Sequence, residues 1–257
     1  MGKKDTKLQY HPRSDRHSKV ACWGLMFDLL LSSELLRRRV ESGAVGFGIN
    51  HEMSDFKNNR KKNLDLVVCV PRHGEGADSP ETFADLARRY QISLSAVEKR
   101  ALADLPSFSA APVGAVQVAL EAKACMTEHL KARPRLYDEL NSSHQTIHGA
   151  SEFAIAAGFA MVNIAETFKS PGKAEVTKHR QPDVTARVIE KLKELPRRAN
   201  QKDEGFDALA IVVVDCANDG REVRLWSKEP APQVGDIFHY ETMVQRLAQL
   251  YESRFSA

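Results

Sequence analysis

"VQVALEAKACMTEH", residues 116–129, begins as a buried strand and then departs from that pattern. Val116 to Leu120 is an apolar run. Glu121 and Lys123 follow it, two residues apart. Side chains at i and i+2 of a strand stand on one face, so this carboxylate and ammonium would lie side by side, with Ala122 facing the other way. A carboxylate near the end of a buried strand is costly unless it is paired or holds a metal. A plain ion pair at a sheet edge meets that requirement as well as a catalytic pair does. The rest of the chain bears on which it is.

Other strongly apolar segments surround this one. "NLDLVVCVP" (63–71) is a β-branched run closed by Pro71, and "FAIAAGFAMVNIA" (153–165) and "DALAIVVVDCAND" (207–219) read as buried strands. "AVGFGINHEM" (44–53) reads as extended, and "REVRLWS" (221–227) as a shorter strand. Between them lie helical patterns. "SKVACWGLMFDLLLSSELLRRRVESG" (18–43) spaces its apolar residues as one helix, capped by Ser18 and ended by Gly43. "SPETFADLARRY" (79–90) offers Ser79 as N-cap with Pro80 in the first turn. "SAVEKRALADLP" (95–106) places Ser95 and Glu98 in capping-box spacing. These two short helices, joined by "QISL", have the rhythm of a helix-turn-helix, but the plainer reading is two amphipathic helices packed on a sheet. "RPRLYDELNSSHQTIHGASE" (133–152) reads as a helix or helix pair, "DVTARVIEKLKELPRR" (183–198) as an amphipathic helix, and "HYETMVQRLAQLYESRF" (239–255) as a terminal helix. Strands alternating with helices predict one α/β domain over 19–257, with a mixed central β-sheet flanked by helices and a helical insertion near 79–106. Residues 1–18 are expected to be a disordered basic tail, and residues 72–81 a polar loop.

Composition sets the frame for function. The 257 residues are 42% hydrophobic and 28% charged, ordinary for a globular protein. Net charge is only +3, but the basic residues cluster. Lys3, Lys4, Lys7, Arg13, Arg16 and Lys19 crowd the N-terminus, Arg37, Arg38 and Arg39 follow, and "KNNRKK" fills 57–62. Such groups suit a polyanionic partner, although each alone is equally a solvated face. The four cysteines are widely spaced with no C-x-x-C, as expected of buried thiols in a reducing compartment. The N-terminus has charge but no apolar core of a secretory signal, and the longest apolar run is too short to span a bilayer. A cytoplasmic protein without a membrane partner is the expectation.

Asp65 sits in one apolar strand, and Glu121 and Lys123 in another. If the strands are neighbours, the three can converge. Two close carboxylates call for a cation, and Mg²⁺ suits them because it prefers oxygen ligands and uses few carboxylates per site. A lysine beside that ion can stabilise a deprotonated water or the charge developing on a phosphorane.

Asp65 followed by Glu121-Ala122-Lys123 resembles the motif of the PD-(D/E)XK nuclease superfamily, the fold of many type II restriction endonucleases. In that family an acid lies in the second core strand and a Glu/Asp-x-Lys in the third, with a helix before the core and a helix and further strands after it. The order matches over roughly residues 20–220. Leu64 stands directly before Asp65, where the motif has proline. The resemblance implies a restriction-endonuclease-like fold and Mg²⁺-dependent hydrolysis of DNA phosphodiesters, with Mn²⁺ able to substitute. It further implies double-stranded DNA as partner, a homodimer that cuts both strands, and a prokaryotic role in restriction or defence. Asp65 and Glu121 would ligate the metal, and Lys123 would help activate water. The family often adds an acid upstream, for which Glu34, Glu41 and Glu52 are the candidates.

Lys57, Arg60, Lys61 and Lys62, with Lys131, Arg133 and Arg135 after the E-x-K strand, are candidates to hold phosphates. Asn141, Ser142 and His144 could reach base edges or the scissile phosphate. The ordinary reading of the second segment is an exposed polar helix. His144 and His148 have the i,i+4 spacing of zinc helices, but "HQTIH" lacks the metalloprotease glutamate. No phosphate-binding G-x-x-x-x-G-K-[ST] and no G-x-S-x-G occurs. Two other classes stay open: a non-catalytic nucleic-acid-binding module whose E-x-K is a salt bridge, and a small-molecule enzyme or an effector nuclease gated by a nucleotide ligand.

Overall fold

A computed structural model describes residues 10–11, 14–72 and 80–256 of the chain. Helices α1 (Arg16–Ser32) and α2 (Glu34–Glu41) come first, then strands β1 (Gly46–Asp55) and β2 (Arg60–Pro71). Helices α3 (Phe83–Arg89) and α4 (Ala96–Asp104) lead to β3 (Val113–Cys125). Next come α5 (His129–Ala150), β4 (Ile155–Asn163), a small hairpin of β5 (Thr167–Lys169) and β6 (Val176–Lys178), and α6 (Asp183–Lys193). The chain ends with β7 (Ala208–Asp215), β8 (Arg224–Leu225) and α7 (Tyr240–Phe255).

The main sheet has six strands in the order β1-β2-β3-β4-β7-β8. The first three are antiparallel neighbours. β3, β4 and β7 run parallel, and β8 returns antiparallel. The parallel pairs need crossover connections, which α5 and α6 supply. The chain is therefore a single α/β domain with a mixed sheet, as the alternation of apolar strands and helices predicts.

Period-two alternation sorts the core onto two faces. Val118, Leu120 and Ala122 of β3 pack with Leu25, Met26 and Leu29 of α1 and Leu247 of α7. Ala119 and Cys125 pack on the other face with Leu136 and Leu140 of α5 and Val188 and Leu192 of α6. All four cysteines are buried free thiols. No helix among the described residues is long and apolar enough to cross a membrane.

Several boundaries depart from the sequence reading. The helix expected over 18–43 is two helices, because Ser33 adopts an extended backbone and its hydroxyl accepts the Leu36 N–H, starting α2. Ser18 lies inside α1 rather than at its cap. Tyr10 is likewise no free tail residue: its N–H donates to Asn218 Oδ1 at 2.7 Å, and Asn218 Nδ2 donates back to Tyr10 O at 3.1 Å. The rest of the expected tail, 1–9 and 12–13, lies outside the described residues, as does Ser79. α3 begins after Pro80, at a capping box formed by Thr82 and Asp85. The expected Ser95–Glu98 box caps α4, and the two helices form the insertion between β2 and β3. α6 stops at Lys193 rather than at Arg198, three residues before Pro196, whose ring disfavours helix in the residue preceding it. β8 shrinks to two exposed residues.

Candidate active site

β2 and β3 pair from Pro71↔Val113 up to Leu66↔Leu120 and then part. Asp65 and Glu121 are the next residues on each strand. Alternation also lapses here, since Leu64 packs on the α5 face and Leu66 on the α1 face. The Asp65 carboxylate turns into the gap. Its Oδ2 accepts the Ala122 N–H at 2.9 Å, which replaces the ladder hydrogen bond that the parting strands give up. Its Oδ1 accepts from Ser18 Oγ at 2.8 Å and from Lys19 Nζ at 2.7 Å, both on α1.

Glu121 is 1% exposed. Its Oε1 lies 2.6 Å from Lys123 Nζ, the side-by-side pair that strand parity requires. Its Oε2 is buried with no hydrogen-bond partner. Burial pushes the Glu121 carboxyl above its ordinary range; Lys123 opposes that shift and the Asp65 charge adds to it. Burial pulls the Lys123 ammonium down, but the adjacent Glu121 carboxylate outweighs it and the net shift is upward. The pair thus holds its lysine protonated.

Asp65 and Lys123 line a cleft of about 390 Å³ between the N-terminal parts of α1 and α5. Arg135 and Glu139 of α5 form the opposite wall, and Tyr10, Asp15 and His17 the near one. The Arg135 guanidinium lies 3.6 Å from Glu139 Oε1, and Lys62 Nζ donates to Glu139 O at 3.3 Å. A row of cations thus runs from the cleft to the β1–β2 hairpin.

The remaining sequence candidates fall elsewhere. Glu34, Glu41 and Glu52 are exposed, and none lines the cleft. Glu34 pairs with Arg38 and Glu52 with Lys61. Among the described residues, Asp15 and Glu139 are further carboxylates lining the cleft. Lys131 pairs with Glu128, and Arg133 is half-buried. Lys57 and Arg60 line a separate hollow of about 530 Å³ with His144 and His148. His144 is fully buried, with its Nε2 2.9 Å from Asn141 Oδ1, so it turns into the protein rather than toward a nucleic acid. Ser142 is half-buried on the same helix and its carbonyl accepts from Thr146. His148 does not join His144 on a metal: its ring nitrogens face Gly205 O and the Arg198 guanidinium.

Ser18 and Lys19 were missed by sequence reasoning. Lys19 lies three and seven residues before the buried Cys22 and Met26, on the inward face of α1, and that spacing is the signal that could have found it.

Two carboxylate oxygens here keep unused acceptor capacity. The orphaned Glu121 Oε2 is a buried oxygen that needs a cation or a proton, and Asp65 Oδ2 keeps a lone pair beyond its bond to Ala122. Among the described residues no group of three or more His, Cys, Asp or Glu side chains is placed to hold a metal ion. No protein-family model matches the chain, and a search of curated proteins finds no match.

Proposed function

We propose that the protein is a Mg²⁺-dependent endonuclease of the PD-(D/E)XK kind, hydrolysing phosphodiester bonds of double-stranded DNA. The observation that carries this reading is the buried Glu121 carboxylate, with one oxygen on Lys123 and the other unpartnered, at the point where β2 and β3 part and Asp65 bonds the next residue of β3. The position of the acid in the second strand and of E-x-K in the third, with α1 before and α5 after, supports the same reading.

Asp65 Oδ2 and Glu121 Oε2 would hold the ion, which supplies Lewis-acid polarisation of the phosphate and a more acidic water. Lys123, held protonated by Glu121, would stabilise the attacking water's negative charge and the phosphorane. Asp65 is fixed by three donors and needs little reorganisation. Arg135 and Lys62 would hold flanking phosphates, positioning the strand across the cleft. Two copies acting together would cut both strands.

One observation favours a second reading, a nucleic-acid-binding module without catalysis. Each acid already has its own lysine, Asp65 with Lys19 and Glu121 with Lys123, so both pairs could be purely structural. Incubating the purified protein with plasmid DNA, with Mg²⁺ or with a chelator, separates the two. Nicked or linear plasmid that forms only with the metal is the expected result. Intact DNA with both Mg²⁺ and Mn²⁺, despite binding, would establish the second reading.

A further inference from the structure

The neighbour of Asp65 that the nuclease reading does not use is Lys19. Its side chain is only 2% exposed, and its ammonium sits 2.7 Å from Asp65 Oδ1. A buried ammonium is retained only with a counter-charge, and among the described residues Asp65 supplies it. Lys19 and Ser18 both engage Oδ1, while Oδ2 faces the Ala122 N–H. One oxygen is thus given to α1, and the other lies toward the gap between the strands.

The charge count has a direct consequence. Two carboxylates, Asp65 and Glu121, are matched by two ammoniums, Lys19 and Lys123, before any divalent ion arrives. Lys123 is partly exposed and can swing toward solvent or phosphate, whereas Lys19 is enclosed beneath α1. An ion bound at Asp65 therefore shares that carboxylate with a fixed positive charge. In a poorly solvated site, repulsion between two cations on one carboxylate would be large compared with thermal energy.

Resting on the nuclease reading above, we propose that Lys19 is a built-in counter-ion of Asp65 that holds down the affinity of the site for a divalent cation. It acts through Asp65 and is a positioning residue rather than a catalytic one.

The test is Mn²⁺ binding to the DNA-free protein, followed by the electron paramagnetic resonance of free Mn²⁺. Lys19→Gln keeps an N–H donor for Oδ1 and removes the charge; Lys19→Arg keeps the charge. The Gln variant is expected to bind Mn²⁺ at least about tenfold more tightly than the wild type, and the Arg variant within about threefold of it. Asp65→Asn should remove the gain when combined with Lys19→Gln. A thermal melt of each sample reports folding, and Lys19→Met, which retains the packing of the stem, repeats the test if the Gln variant does not fold. Unchanged or weaker Mn²⁺ binding by the folded, charge-free variant overturns the proposal and leaves the metal reading standing. No Mn²⁺ binding by any form overturns both.

Discussion

Asp65 Oδ2 accepts the Ala122 N–H at 2.9 Å, one residue past Leu66 on β2 and two past Leu120 on β3, the last residues that the two strands pair. The carboxylate both closes the sheet where its ladder stops and neutralises Lys19. Asp65→Ala should therefore destabilise the fold by about 3–5 kcal/mol, because it strands a buried ammonium. Adding Lys19→Met should recover most of that loss. Urea denaturation of the two variants checks this; a single variant within ~1 kcal/mol of wild type would show that the pair is not structurally coupled.

Lys123 gives a different signature. It is the partly exposed member of its pair, but its removal leaves the buried Glu121 carboxylate without its counter-charge, so the melting temperature should fall by an amount that protonation of Glu121 limits. Cleavage should nevertheless slow by ~10²–10³, the usual cost of losing one transition-state stabiliser. Lys123→Arg should not restore the rate well, since a planar guanidinium replaces a compact charge poorly. Single-turnover cleavage and a melt of the same samples decide between catalysis and a structural ion pair. A variant that cuts at the normal rate and merely melts earlier supports the latter.

The row formed by Lys62 and Arg135 should contribute to DNA affinity through phosphate contacts. Replacing both by Ala should weaken binding across all sequences and flatten its salt dependence by about one to two in the slope of log K against log salt. Fluorescence anisotropy over a range of salt concentrations measures that slope. An unchanged slope would mean that the duplex does not cross this wall of the cleft.

His144 and His148 make stability depend on pH. Burial lowers both to about 4, helped at His144 by the charge of His148 and at His148 by that of Arg198. The unfolded chain takes up these protons near pH 6.5, so their contribution is fully present above that value and is lost as pH falls toward 4. Chemical-denaturation midpoints should decline over that window, by a stability change on the order of a few kcal/mol. His144→Gln should flatten the decline. A midpoint constant between pH 7 and 4.5 would contradict the burial of these rings.

Legibility in the sequence followed the range of the interactions involved. The β-branched run around Val67 and the apolar run before Glu121 fix two strands by local pattern alone, and Ser95–Glu98 fixes a helix start within four residues. The Glu121–Lys123 contact follows from strand parity. The break at Ser33 was hidden because leucines on both sides keep helical spacing. Lys19 was hidden more deeply. A lysine near a basic N-terminus reads as solvated, and its burial depends on a carboxylate 46 residues away in another element. His144 was misplaced for the same reason: the polar helix α5 presents one of its polar faces inward, and only its packing on the sheet selects which.

The most direct measurement is single-turnover cleavage of an end-labelled duplex by wild type and Glu121→Gln, with Mg²⁺ and with a chelator. Gln fills the same buried space but is uncharged, and its protein should melt at or above the wild-type temperature. The wild type should cleave only with Mg²⁺, and the variant should lose at least ~10² in rate at undiminished stability. Equal cleavage rates for the two proteins, or cleavage by the wild type that persists in the chelator, would contradict the nuclease reading.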